Sequence, residues 1–140
     1  PLMYACHAGR LEAVALLLER GAEPSLRDDE NSTALMLAGR SVAAWFGSYG
    51  SYRVADVIRL LINDGRVPVN ARDDDGQTAL YQSCNHGYTD RARVLLVEGL
   101  ADHTIANNDG ETPMAEAQRA GREGCIRLLQ VCSGLFSSPS

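Results

Sequence analysis

The chain contains no lysine, and all 13 of its basic residues are arginine. Because 18 acidic residues outnumber them, the formal net charge is −5, which argues against a general surface for nucleic acid or anionic membranes. Aromatic residues make up only 6% of the 140 residues. No apolar run approaches the roughly 20 residues that a membrane helix requires. The composition, 45% hydrophobic and 22% charged, is instead typical of one ordinary globular domain.

Cysteine is also scarce, since four cysteines in 140 residues are too few for a disulfide scaffold. This scarcity favours a reducing compartment, cytoplasmic or nuclear. Cys84 lies close to a histidine in sequence, but a small buried thiol is favoured over a nucleophile. Cys125 and Cys132 lack a CxxC partner for zinc, and the acidic stretches at 73–76 and 107–111 lack the final glutamate and flanking helices of an EF-hand. We therefore expect no enzyme site, metal or cofactor.

In place of such motifs the chain contains an internal repeat. A Thr-Ala/Pro-Leu/Met pattern begins at Thr33, Thr78 and Thr112, and Pro1 stands where a further copy would have its second residue. Thr78 and Thr112 are 34 residues apart, whereas Thr33 and Thr78 are 45 apart, which is one unit plus 11 residues. The sequence thus divides into four related units, the second of which is longer than the others.

Each unit contains the signals of two helices. Threonine suits the cap of the first helix, and proline suits its first turn. The second helix has apolar residues at helical spacing, and Gly21, Gly65 and Gly99 follow it, where a left-handed residue ends a helix. Asp-Asp-Asp-Gly at 73–76 and Asn-Asn-Asp-Gly at 107–110 predict hairpin turns. One such unit is too small to bury its apolar face alone, so we expect the units to stack.

A unit of about 33 residues built on Thr-Pro-Leu-His-x-Ala is typical of ankyrin repeats, and the chain resembles that family from end to end. The resemblance implies an all-α repeat solenoid in which helix-turn-helix units are joined by β-hairpin-like loops. We expect repeats at about 1–27, 28–72, 73–106 and 107–132, followed by a flexible tail at 133–140.

The two ends of the array differ in polarity. The last unit combines a thin apolar face with a polar remainder, as a capping repeat should. The first unit is apolar along its second helix and lacks a hairpin, which predicts that further repeats precede Pro1 in the natural protein.

Two local features depart from the family pattern. The second and third units carry one extra residue after the glycine that ends the second helix, which predicts small bulges in the connections. Arg91 stands where the other units have Ala13, Val57 and Cys125. We expect the stem of Arg91 to pack while its charged head reaches solvent.

The 11 extra residues of the second unit fall between its two helices, within about Arg40–Arg53. They include Trp45, Phe46 and Tyr49, and aromatic residues are over-represented at interface hot spots. Two interpretations stay open. Either the aromatic side chains pack against the neighbouring unit, or they form a protrusion that binds a partner.

The resemblance further implies that the array binds another protein along a concave face, made of hairpin tips and of outward positions on the first helices. The helix positions are Tyr4, His7, Ala8, Leu37, Arg40, Ser41, Gln82, Asn85, His86, Glu116, Arg119 and Ala120. The tip positions are Asp29, Glu30, Asn31, Asp74, Asp75, Gln77, Asn108, Asp109 and Glu111. The tips are strongly acidic, which either keeps the array soluble or attracts a basic segment of the partner.

We therefore expect a non-catalytic protein–protein interaction module, a scaffold or adaptor that is a fragment of a larger protein. Its partner is expected to be another protein rather than nucleic acid or a membrane, and the chain is expected to be a monomer. Two alternatives are the regulatory arm of a multidomain enzyme, whose catalytic part lies outside this chain, and a structural spacer.

Overall fold

The computed structural model describes residues 1–41 and 50–134, and these form eight helices. Helix α1 spans Leu2–His7, α2 Leu11–Glu19, α3 Ala34–Gly39, α4 Gly50–Asp64, α5 Ala79–His86, α6 Thr89–Arg93, α7 Pro113–Ala120 and α8 Glu123–Gly134. Helix α6 continues as a π-helical segment over Val94–Glu98. Helix α8 extends two residues beyond the predicted domain end at 132. The predicted aromatic site of Trp45, Phe46 and Tyr49 lies outside the described residues, as does the rest of the predicted tail, at 135–140.

The helices are arranged in two layers. The inner layer consists of α1, α3, α5 and α7, each packed against the next, and the outer layer consists of α2, α4, α6 and α8 in the same order. Each inner helix also packs against the outer helix that follows it. The described part of the chain contains no strand, and an isolated antiparallel bridge joins Arg27 and Thr33. The prediction of an all-α repeat stack is therefore confirmed.

The repeated threonine begins three of the inner helices. The side-chain hydroxyl of Thr33, Thr78 and Thr112 accepts a hydrogen bond from the backbone N–H three residues later, at 3.3, 3.1 and 3.2 Å. Each threonine has an extended backbone, as an N-cap residue requires. Pro113 occupies the first turn of α7, where its missing N–H costs no hydrogen bond.

The core lies between the two layers and continues from repeat to repeat. Its fully buried side chains include Val14, Leu35, Val57, Leu61, Leu80, Leu95 and Leu129. Cys6, Cys84 and Cys125 are buried in the same core. Contact with the Cys125 thiol, together with burial, raises the pKa of Cys84. Cys84 is therefore a neutral buried thiol, as its position in the repeat predicted.

The third outer helix ends differently from the prediction. Gly21 and Gly65 are left-handed, with φ of 87° and 83°, as expected. Gly99 is right-handed with φ of −89°, and the left-handed residue is Leu100, with φ of 53°. The extra residue of this repeat is accommodated inside the helix, because Val94–Glu98 forms a π-helical turn. The left-handed position consequently moves one residue along the chain.

The prediction for Arg91 is also wrong, because the whole side chain is buried. Its Nη1 donates hydrogen bonds to the carbonyl oxygens of Ala38 and Gly39, both at 3.3 Å, and of Ser41, at 2.6 Å. The guanidinium carbon lies 3.7 Å from the centre of the Tyr88 ring. Three carbonyl groups and an aromatic face thus take the place of solvent around this charge.

Candidate partner-binding surface

Three turns of the same kind precede α3, α5 and α7. We call them the tips, and they comprise residues 28–31, 73–76 and 107–110. The first residue of each tip, Asp28, Asp73 or Asn107, accepts two backbone hydrogen bonds through its side-chain Oδ1, from the N–H groups two and four residues later. These bonds define the shape of the turn locally. The sequence analysis missed this role, although its signal is the recurrence of Asp or Asn after 45 and then 34 residues.

The tips are joined to one another by backbone hydrogen bonds. The N–H of Asp74 donates to the carbonyl oxygen of Glu30 at 3.1 Å, and the N–H of Asn108 donates to that of Asp75 at 3.0 Å. The side-chain amide of Asn108 also donates to the carbonyl oxygen of Asp74 at 2.8 Å. The three tips therefore form one continuous edge of the array rather than three independent loops.

Two arginines that the sequence analysis did not single out support this edge. Arg27 Nη1 donates to the carbonyl oxygens of Asn31 at 3.0 Å and of Arg72 at 2.8 Å, which links the first tip to the second. Arg72 Nε donates to the carbonyl oxygen of Gly76 at 3.1 Å. Their signal in the sequence is that both stand one residue before a tip, 45 residues apart.

The predicted tip positions lie at the surface. Asp29, Glu30, Asn31, Asp74, Asp75, Asn108 and Asp109 are exposed, while Gln77 and Glu111 are half-buried. Two arginines of the inner helices lie near the tip carboxylates: Arg40 is 3.8 Å from Glu30, and Arg119 is 3.6 Å from Glu111. The edge thus presents carboxylates outward, with arginine behind it on α7 and just past the end of α3.

The predicted helix positions divide into three groups by exposure. Tyr4, His7, His86, Arg119 and Ala120 are exposed, Ala8, Leu37, Arg40 and Asn85 are half-buried, and Ser41, Gln82 and Glu116 are buried. The expectation that Ser41, Gln82 and Glu116 point outward is therefore wrong. Ser41 is turned inward, where its hydroxyl donates to the carbonyl oxygen of His7.

Gln82 and Glu116 are buried because each reaches polar partners inside the stack. The side-chain amide of Gln82 donates to Asp73 Oδ2 at 2.9 Å. Glu116 Oε2 accepts from the hydroxyl of Tyr81 at 3.1 Å and from Arg119 Nε at 3.0 Å. Such hydrogen bonds offset the cost of taking a polar side chain out of water. These two residues therefore support the surface from behind.

Tyr81 connects the third repeat to the fourth. Its hydroxyl donates to Glu116 and accepts from the side-chain amide of Asn107 at 3.0 Å. Burial, followed by the hydrogen bond to Glu116, raises the pKa of Tyr81 from 10.0 to about 12. The neutral phenol is the form that this network accommodates.

This raised pKa predicts a loss of stability at high pH. A phenol that ionises more easily in the unfolded chain stabilises the fold below pH 10, and that contribution is lost as the pH rises towards about 12. The free energy of unfolding of the wild type should therefore fall relative to that of Tyr81→Phe over this range. Urea unfolding of both proteins at several pH values measures the difference. Parallel curves would contradict the assignment.

His86 lies at the exposed end of α5, beside the ring of Tyr88. The two ring centres are 5.6 Å apart. Burial comes first among the causes that lower the pKa of His86, followed by the positive charges of nearby arginines, namely Arg122, Arg91 and Arg40. The neutral imidazole is thus favoured here.

Two models of ankyrin repeats match the sequence. The model described as "Ankyrin repeats (3 copies)" matches residues 41–135, which is more than half of the chain. The model described as "Ankyrin repeats (many copies)" matches residues 1–38. The chain belongs to the ankyrin-repeat family. Members of this family generally mediate protein–protein interaction and are generally non-catalytic.

Similar curated proteins are much longer than this chain. Transient receptor potential cation channel subfamily A member 1 of Homo sapiens is 26% identical over 129 residues, which cover 92% of this chain and 10% of that protein. Ankyrin repeat and KH domain-containing protein mask-1 of Caenorhabditis elegans is 29% identical over 131 residues, with 92% and 4% covered. A protein with the same description, CBG24701 of Caenorhabditis briggsae, is 32% identical over 131 residues, with the same coverage. The chain spans a tenth or less of these relatives. No helix of the described residues is long and apolar enough to cross a membrane.

Proposed function

We propose that this chain is a non-catalytic protein-binding module of a larger cytoplasmic or nuclear protein, and that it binds its partner through the tips and the exposed residues of the inner layer. The observation that carries the proposal is the continuous edge made by the three tips. Backbone hydrogen bonds hold the tips together, so their exposed side chains are arranged before a partner arrives. Such preorganisation reduces the entropy lost on binding.

The chemistry of this edge favours a partner with a basic segment. Asp29, Glu30, Asp74, Asp75 and Asp109 are all exposed along it. The arginines that support the edge, Arg27 and Arg72, donate to backbone carbonyl oxygens. Charge of one sign along an edge accelerates association with a partner of opposite charge and makes it sensitive to salt. We propose that the chain itself is a monomer.

Replacing both Asp74 and Asp75 with arginine tests this proposal. Because both side chains are exposed, we expect the free energy of unfolding to change by less than about 1 kcal/mol. Affinity capture from a cell extract at moderate salt should retain a protein on the wild-type chain, and this protein should be lost from the variant. Higher salt should weaken retention by the wild type.

A control with the same change in charge separates the edge from the overall charge of the chain. Glu19 in α2 and Glu123 in α8 are exposed on the outer layer. Arginine at both positions should leave the retained protein bound. If the tip variant and the outer-layer variant lose it equally, or if the wild type retains no specific protein, the proposed edge is wrong and a spacer role is favoured.

A further inference from the structure

Three of the inner helices end in the same way. A left-handed glycine follows each of them: Gly9, Gly87 and Gly121, with φ of 68°, 77° and 71°. In the third repeat the N–H of Gly87 donates to the carbonyl oxygen of Cys84 at 3.2 Å, and the next N–H donates to that of Ser83 at 2.9 Å. The first and fourth repeats have the same pair of hydrogen bonds. Two backbone donors thus satisfy the last carbonyl groups of each helix.

The second repeat supplies these donors differently. Its corresponding carbonyl groups belong to Ala38 and Gly39, 45 residues before Ser83 and Cys84. Positions 42 and 43, which align with the glycine and its successor, lie outside the described residues, and the 11 extra residues begin here. Arg91 Nη1 donates to both carbonyl oxygens at 3.3 Å and to that of Ser41 at 2.6 Å. A side chain from the next repeat therefore occupies the place of two backbone N–H groups.

The space for this side chain comes from glycine. At the junction of the third and fourth repeats, Cys84 meets Cys125, which stands at the position of Arg91 in the fourth repeat. At the junction of the second and third repeats, the position of Cys84 is taken by Gly39, which has no side chain. Gly39 is itself tightly enclosed, since a Cβ would lie 3.1 Å from the carbonyl oxygen of Ala79. An arginine head can therefore reach the end of α3 only because the facing residue is glycine.

The energetics favour such a role. A buried charge is costly unless hydrogen bonds replace its hydration. The carbonyl groups at the end of a helix carry partial negative charge, and a planar guanidinium can serve several of them at once. The ring of Tyr88, 3.7 Å from the guanidinium carbon, covers the charge further.

We propose that Arg91 is a positioning residue that replaces the backbone hydrogen bonds closing the other inner helices, and so lets the second repeat carry its extra residues without losing the end of α3. Arg40 and Ser41, which follow α3 directly, are held in place by the same contacts. This inference goes beyond the proposed function, because it requires no partner.

A double-mutant cycle tests the proposal. Deleting residues 42–52 and changing Arg53→Gly places a glycine nine residues after Thr33, as Gly87 stands nine residues after Thr78. In this shortened chain the backbone can close α3 itself. Arg91→Met should raise the equilibrium constant of unfolding at least about tenfold in the natural chain, but less than about threefold in the shortened chain. Equal effects in the two chains would overturn the proposal, because they would make Arg91 a packing residue only.

Amide hydrogen exchange gives a second measurement that needs only the natural chain. In Arg91→Met the amides of Arg40 and Ser41 should exchange at least about tenfold faster, while those of Gly87 and Tyr88 keep their rates. The exposed Arg93, two residues further along, provides a matched control, since Arg93→Met should change neither pair. Uniform acceleration in both repeats, or no change at Arg40 and Ser41, would contradict the role assigned to Arg91.

Discussion

Glu116→Arg is expected to lower the free energy of unfolding by about 3–5 kcal/mol. Glu116 is buried and accepts hydrogen bonds from Tyr81 and Arg119. Arginine at this position would place a second guanidinium beside Arg119 and leave the hydroxyl of Tyr81 without its acceptor. Both changes put uncompensated polar groups in the core. Urea unfolding followed by circular dichroism measures the loss.

Asp109→Arg is the control, because it makes the same change in charge at an exposed position of the same repeat. We expect it to stay within about 0.5 kcal/mol of the wild type. Should Glu116→Arg prove as mild as Asp109→Arg, Glu116 would be an exposed residue after all, and the network with Tyr81 would not exist in solution. If the expected result holds, substitutions at Glu116 report on folding rather than on partner binding.

Gly76→Ala is expected to cost about 2–4 kcal/mol. Gly76 is left-handed, with φ of 78°, which strains a residue that has a side chain. A Cβ would also lie 2.4 Å from Asn108 Oδ1, 2.7 Å from the backbone nitrogen of Asn108 and 2.7 Å from Arg72 Nη2. The backbone of the next tip would therefore have to move, which would break the edge between the second and third tips. Thermal and urea unfolding measure this cost.

Gly110 provides a closely matched comparison. It occupies the same place in the next tip, with φ of 81°, but no atom lies within 4 Å of its ideal Cβ position. Gly110→Ala should therefore show only the conformational strain, about 1–2 kcal/mol. Equal losses at Gly76 and Gly110 would indicate that the tips are not in contact. A loss confined to Gly76 would support the continuous edge on which the proposed function rests.

Some parts of the candidate site could be predicted from the sequence because their causes are local. Thr33, Thr78 and Thr112 cap helices that begin at the next residue, so each signal lies within three residues of its partner. The turns at 73–76 and 107–110 likewise depend on hydrogen bonds that span four residues. Such short-range preferences are the same in any tertiary context.

Other parts could not be predicted, because the sequence pattern classifies a position only by its counterparts in other repeats. Glu116 aligns with Gln82 and Leu37, which gave no indication that a carboxylate would be buried there. Its partner Tyr81 is 35 residues away. Arg91 was expected to reach solvent because arginine usually does. Its acceptors on Ala38, Gly39 and Ser41 are 50 to 53 residues away and belong to another repeat.

The amino-acid sequence by itself determined the repeat period, the paired helices, the caps and the acidic tips, and with them the ankyrin-repeat fold, because short-range preferences and the burial of apolar faces specify these features. The tertiary structure alone decided which polar side chains are buried. Gln82, Arg91 and Glu116 leave the surface only where a tip or a neighbouring repeat supplies the hydrogen-bond partners that replace water. That supply depends on how the repeats stack, which no single repeat contains.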